Sequence, residues 1–321
     1  MNFVEVNGTT RCARHPPSAI PCGRRESWRG RSIIFSMAWD NRHRPLPMSI
    51  LPTNLTIKGG VRMTVAWTDE VKEIAGCQIH VSRGGVGRTI LVLHHEIGTP
   101  DRLPFYDALA EKFDVIVPHH PGWGKSQRPE WLRHPRDIAA MTTWLLSELG
   151  AKDVSVVGLG FGGWIAAEMA SQSPRTFRRM VLVAPMGIKP PEGDIADQAI
   201  VSYIDYPQAG FHDQTAFETV FGDISIDQLE QWDVCREMSF RTAWKPYMYS
   251  QTLPHLLGGV QTPTLVVWGD DDRIVPISAG HAYTKSLRNA TMTTVAACGH
   301  FAEMEKPAEV AKLVTDFVNA S

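Results

Sequence analysis

Residues 154 to 163 read Val-Ser-Val-Val-Gly-Leu-Gly-Phe-Gly-Gly, and no other stretch narrows the possible folds as much. The β-branched apolar run predicts a buried strand. The closely spaced glycines predict a turn too tight for side chains, because glycine alone reaches positive φ without steric cost. Trp164, Ile165, Met169 and Ala170 follow at once with helical spacing. A strand, a sharp turn and a helix over residues 154–170 predict one βα unit of a mainly parallel sheet covered on both faces. At the turn stand Gly158, Leu159, Gly160, Phe161 and Gly162.

The rest of the chain supplies the material for such a fold. Its 321 residues allow one large domain or two smaller ones. A hydrophobic share of 43% with 21% charged residues suits a soluble protein with a large core. The formal net charge of −2 gives no global field that would draw nucleic acid or an anionic membrane. No apolar run approaches the roughly 18 residues of a spanning helix. A small molecule is the expected partner, with no nucleic acid and no membrane, and the oligomeric state is not legible. The five cysteines, Cys12, Cys22, Cys77, Cys235 and Cys298, are scattered and form no C-x-x-C pair. Free thiols and a cytoplasmic location are the expectation.

Residues 1–62 stand apart. Eight arginines crowd between Arg11 and Arg44, no lysine precedes Lys58, and no helical or strand period persists. The expectation is a disordered leader or an over-extended gene start, with Met48 or Met63 as initiator. Removal of residues 1–47 should then leave thermal stability unchanged. From about Gly76 the pattern turns regular. Strands are expected over Gln78–Ser82 and Thr89–His94, joined by a glycine-rich hairpin turn at Arg83–Arg88. Further strands are expected over Phe113–Pro118, Met180–Ala184, Thr264–Trp268 and Met292–Ala296. Helices are expected over Leu103–Lys112, from an N-cap at Asp137 to a stop at Gly150, and from Pro307 onward.

Several segments together resemble the α/β-hydrolase family. The Gly158–Gly162 turn is similar to its G-x-S-x-G nucleophile elbow, with Gly160 where the nucleophile would stand. Gly269-Asp270-Asp271-Asp272-Arg273 resembles the acid loop and Cys298-Gly299-His300-Phe301-Ala302-Glu303 the histidine loop. The resemblance implies His300 as base and Asp272 as the acid that orients it. His94-His95-Glu96-Ile97-Gly98 is similar to the H-G-x-x-G region, with His95 in place of glycine. The implied oxyanion donors are the N–H groups of Glu96 and Phe161. The implied architecture is a 63–185 and 261–321 core, a doubly wound and mainly parallel sheet, with residues 186–260 inserted as a helical cap. His95, Trp123, Trp244 and Tyr247 are expected to bind substrate, with Tyr203, Tyr206 and Tyr249 as further lining aromatics.

Glycine at position 160 relieves backbone strain, excludes a covalent acyl-enzyme there, and is expected to leave a gap the size of a hydroxymethyl group beside His300. Three function classes follow. One is a hydrolase-like, or lyase-like, enzyme acting on a small apolar carbonyl or ester compound, with the His300–Asp272 dyad activating water or moving a proton. The second is a non-catalytic small-molecule binder. The third is a metal-assisted hydrolase using His94, His95, Glu96, His119 and His120. No cofactor is implied, and no metal is assigned.

Overall fold

A computed structural model of the protein describes residues 65–173 and 175–320; the leader expected over residues 1–62 lies outside them. Eight strands form one sheet: β1 (Trp67–Ile74), β2 (Cys77–Gly84), β3 (Thr89–Leu93), β4 (Asp114–Pro118), β5 (Ser155–Leu159), β6 (Met180–Val183), β7 (Thr264–Gly269) and β8 (Ala290–Val295). Their order is β1-β2-β4-β3-β5-β6-β7-β8. The six strands from β4 to β8 run parallel, and β2 joins β4 antiparallel. Every residue of β4, β5, β6 and β7 is buried, as expected for strands covered on both faces.

Two local expectations are corrected. Arg83–Arg88 is not a hairpin turn, because β4 lies between β2 and β3 in the sheet. The hairpin is instead β1 with β2, a strand pair whose first member the sequence pattern did not reveal. Its two-residue turn is Ala75-Gly76, both at positive φ (52° and 75°), the geometry that matches strand twist. Asp137 is also not the N-cap of its helix. That role falls to His134, whose ring accepts the Arg136 N–H, while the Asp137 carboxylate accepts the His134 N–H.

The helices on the two faces are α1 (Pro104–Ala110), α2 (Pro135–Glu148), α3 (Phe161–Gln172), α8 (Ser278–Ser286), α9 (Ala302–Glu305) and α10 (Pro307–Asn319). On α2, Ile138, Met141 and Leu145 turn into the core, and on α10 Val310 and Val314 do the same. Between β6 and β7 the chain runs through α4 (Asp205–Ala209), α5 (Gln214–Phe221), α6 (Ile226–Ala243) and α7 (Leu253–Leu256). Asp213 and Ser225 cap α5 and α6 with their side-chain oxygens. Because β3, β5, β7 and β8 are parallel, the loops leaving their C-terminal ends emerge on one side. His94–Gly98, Gly160, Asp270–Asp272 and His300 all lie in or beside those loops.

Candidate active site

The turn between β5 and α3 is held by close backbone packing. Gly160 donates its N–H to the Val183 carbonyl (3.0 Å), and its own carbonyl accepts from Gly163 and Met186 (3.0 Å each). A Cβ on Gly158 would lie 2.6 Å from the Gly163 Cα, so helix and strand touch only because neither carries a side chain. Gly160 itself sits at φ 49°, ψ −111°. A Cβ there would stand 2.2 Å from His95 Nδ1 and 2.9 Å from Glu96 Oε2. The opening expected beside His300 is therefore filled. The imidazole of His95, at the position where the resemblance expects glycine, occupies the room that glycine at 160 releases.

Around that point the side chains of His95, Glu96, His300 and Glu303 are fully buried. His300 Nδ1 meets Asp272 Oδ2 at 2.8 Å. The other oxygen of Asp272 accepts the N–H groups of Ile274 and Val275 (2.9 Å each), which fixes the carboxylate behind the ring. His95 has a parallel arrangement, its Nε2 lying 3.1 Å from Glu303 Oε2. The two imidazoles are 5.1 Å apart between centroids, and Phe301 packs edge-on against both. Glu96 lies between them, with Oε2 3.7 Å from His95 Nδ1 and Oε1 3.8 Å from His300 Nε2. Tyr206 donates its hydroxyl to Glu96 Oε1 at 3.1 Å. His95 Nδ1, Glu96 Oε2 and His300 Nε2 are left without a hydrogen-bond partner among the described residues.

Burial opposes charge on both His95 and Glu96, yet each stabilises the other. Glu303 and Glu96 outweigh desolvation and hold the His95 imidazole up at about 10. Desolvation likewise raises the Glu96 carboxyl, but His95 and His300, with the residue's own N–H, bring it down to about 2. The resting cluster thus keeps an imidazolium beside an ionised carboxylate, out of water.

The other expected residues fall into separate places. Phe161 opens α3 directly after Gly160, and Glu96 follows β3, so the two proposed oxyanion donors flank the same turn. Trp123 is buried, donates its indole N–H to the Glu96 carbonyl (2.9 Å) and stacks on Phe161 at 5.4 Å. It supports the Glu96 loop and lines neither of the cavities described below. Trp244 is half exposed against Phe240 and Tyr247. Tyr247 donates to the Ala196 carbonyl and accepts the Gln198 N–H. Neither residue lines these cavities, because each packs within the inserted segment.

One cavity, enclosing about 220 Å³ of space in part open to solvent, lies between Glu96, Gln198, Tyr206, Trp232, Cys235 and Arg236 and meets the cluster at Glu96. Tyr203 also borders it. A second, of about 370 Å³, shares Ile97, Trp232 and Cys235 and continues past Thr99 and Gln231. Together they trace a mostly apolar approach between the Glu96 loop and α6.

A family model described as Alpha/beta hydrolase family matches residues 90–313. The chain belongs to that family. A 2-hydroxy-6-oxononadienedioate/2-hydroxy-6-oxononatrienedioate hydrolase of Paraburkholderia phymatum is 27% identical over 262 residues, covering 75% of this chain and 91% of the relative. A 2-hydroxy-6-oxo-6-phenylhexa-2,4-dienoate hydrolase of Comamonas testosteroni is 25% identical, covering 77% and 93%. Among solved structures, a meta-cleavage product hydrolase superposes with a TM-score of 0.68 at 20% identity, over 78% of this chain and 98% of that one. This α/β-hydrolase chain therefore shares its fold with enzymes named as hydrolases of small carbonyl compounds. In this member the sequence had assigned no role to Glu303, and had given Tyr206 only as a lining aromatic. The clue to Glu303 was its place three residues after His300, which carries it on α9 to the back of His95.

Proposed function

We propose that the protein is a hydrolase of a small, largely apolar carbonyl compound that uses water directly, without a covalent serine intermediate. The observation that carries this reading is His300 Nε2, buried, backed by Asp272, without a hydrogen-bond partner among the described residues and 3.8 Å from Glu96, which lines the cavity. A base so placed removes a proton from water as the oxygen adds to the substrate carbonyl. The imidazolium, oriented by Asp272, then returns that proton to the leaving group as its bond to the carbonyl carbon breaks. The Phe161 N–H and the His95 imidazolium would face the developing oxyanion, while the Glu96 N–H serves its own carboxylate. The helices of residues 186–260 act as a cap, and Tyr206 positions the Glu96 carboxylate from it.

The relatives' names suggest where to start. A panel of 2-hydroxy-6-oxo-dienoates with apolar 6-substituents, together with activated esters, should contain a substrate that wild type turns over and His300→Ala does not. If His300→Ala hydrolyses that substrate at the wild-type rate, the reading fails. A second reading, a pocket that binds without turnover, is favoured by the way His95 and Glu96 fill the space at Gly160. In that case no panel member is hydrolysed, while ligands change Trp232 fluorescence saturably.

A further inference from the structure

We propose that His95 Nδ1, the Glu96 carboxylate and His300 Nε2 form a binding site for one divalent transition-metal ion of the zinc class. The proposal rests on the hydrolase reading for the place of the chemistry only: with the ion bound, His95 and His300 would be neutral ligands, binding would displace the proton held on His95, and the ion rather than a free His300 would lower the pKa of the water. Three observations converge on it.

The donor atoms of His95, Glu96 and His300 lie within 4.8 Å of one another and belong to buried side chains. Two neutral-capable imidazoles with a carboxylate form a donor set that suits zinc, and three protein ligands leave a fourth position for water. A tetrahedral ion with bonds of about 2.0–2.1 Å holds its ligands roughly 3.3 Å apart. Glu96 Oε2 lies 3.7 Å from His95 Nδ1 and Oε1 lies 3.8 Å from His300 Nε2, and with all donors within 4.8 Å the cluster would close by up to about 1.5 Å around an ion.

Second, each of these donors lacks another partner. His95 Nδ1, Glu96 Oε2 and His300 Nε2 are buried without a hydrogen-bond partner among the described residues. Leaving such a group unsatisfied is costly, so three at one point suggest a missing occupant. The opposite nitrogen of each imidazole is held by a carboxylate, His300 Nδ1 by Asp272 and His95 Nε2 by Glu303. Histidine ligands of metals are oriented and made more basic in this way. Tyr206 holds the remaining Glu96 oxygen.

Third, glycine at 160 lets two of the donors meet there: a Cβ would come within 2.2 Å of His95 Nδ1 and 2.9 Å of Glu96 Oε2 and push them out of place. Of the five residues the sequence suggested, His94, His119 and His120 are outside this set, because their rings bond the backbone.

The experiment uses the full chain purified without a histidine tag, stripped with a chelator and titrated with Zn²⁺ against a chromophoric competitor. Substitution by Co²⁺ gives visible absorption as a second readout. One equivalent should bind per chain, and His95→Gln, Glu96→Gln and His300→Gln should each weaken binding by at least 100-fold. Asp272→Asn and Glu303→Gln should weaken it by about 10–100-fold. His119→Gln should leave it within twofold, and circular dichroism confirms folding of each variant. Failure to bind one equivalent, or binding that survives all three ligand substitutions, overturns the proposal. The two readings separate cleanly. Full hydrolysis by stripped enzyme overturns the ion and keeps the hydrolase. Stoichiometric binding with no turnover of any panel substrate keeps the ion and overturns the hydrolase.

Discussion

Two buried histidine clusters lie beyond the C-terminal ends of parallel strands, the first after β3 and β4 and the second after β3 and β8, and they are wired differently. In the first, His94 Nδ1 donates to the His95 carbonyl, and its Nε2 accepts the His120 N–H at 3.0 Å. His120 Nε2 in turn meets the His94 carbonyl, and His119 Nδ1 accepts the Lys125 N–H. Those rings tie the end of β3 to the end of β4 and stitch the turn after it. In the second cluster His95 and His300 are held by carboxylates from behind, and their forward nitrogens have no partner among the described residues. Charge follows the wiring. Burial, helped by neighbouring imidazoles, pushes His119 down to about 4 and His120 to about 3, whereas His95, for all its burial, is held at about 10 by Glu303 and Glu96. Residue type and burial alone do not separate a structural histidine from a chemical one. A carboxylate behind the ring does, since His120 Nδ1 is also buried without a partner among the described residues but its other nitrogen meets only a backbone carbonyl.

That contrast can be broken most forcefully by removing one ring from each side. Replacing the general base typically costs 10²–10⁴-fold in rate, so His300→Ala should lose that much kcat on any panel substrate. His119→Gln should stay within twofold. Equal losses in steady-state assays would erase the distinction.

The next largest effect concerns the exchange of glycine and histidine at the turn. Gly160→Ser places a side chain at positive φ and against His95 Nδ1, and should destabilise the protein by about 2–5 kcal/mol. His95→Gly in the same chain should recover most of that loss in thermal melts. The double variant should also react with a fluorophosphonate probe, while Gly160→Ser alone should react weakly or not at all. A stable, probe-reactive single variant would contradict the filled site.

Acid should separate the clusters too. The unfolded chain has ordinary histidines near 6.5, whereas His119 and His120 titrate at about 4 and about 3 in the fold. Between those values the unfolded state binds more protons, so stability contributed by these neutral rings is full above about 6.5 and falls as the pH drops toward 4 and below. Denaturant unfolding from pH 7.5 to 4.5 should show that decline, with a shallower slope in His119→Gln. An unchanged slope would remove His119 from the account.

The smallest expected effect is at Trp123. Trp123→Phe keeps the stack on Phe161 and deletes only the N–H bond to the Glu96 carbonyl, a loss of about 1–2 kcal/mol in stability. If stability is unaffected, Trp123 does not support the Glu96 loop as described.

Much of the fold was legible in the sequence because it rests on local signals. Buried strands such as β5 and β7 are continuous apolar runs, and the Gly158–Gly163 spacing forces the tight crossing of strand and helix. The loop order of Gly160, Asp272 and His300 likewise brought the last two to 2.8 Å contact. The errors have a shared cause. Whether Arg83–Arg88 closes a hairpin depends on which strand lies beside β2, and pairing between β2 and β4 is a long-range choice. Trp123, Trp244 and Tyr247 have the composition of a pocket lining, but their surroundings were set by partners distant in the chain.

By itself the sequence determined the sheet, the turn at Gly160 and the presence of an imidazole–carboxylate pair, because each depends on residues within one segment or on the order of segments. Only the tertiary structure decided that His95 fills the space glycine leaves, that Glu303 stands behind it and that Tyr206 reaches Glu96 from 110 residues away. Those contacts join the loop after β3, the turn at Gly160, α9 and the inserted α4. The direction of a side chain across such a junction follows from how the whole core packs, and no local pattern encodes it.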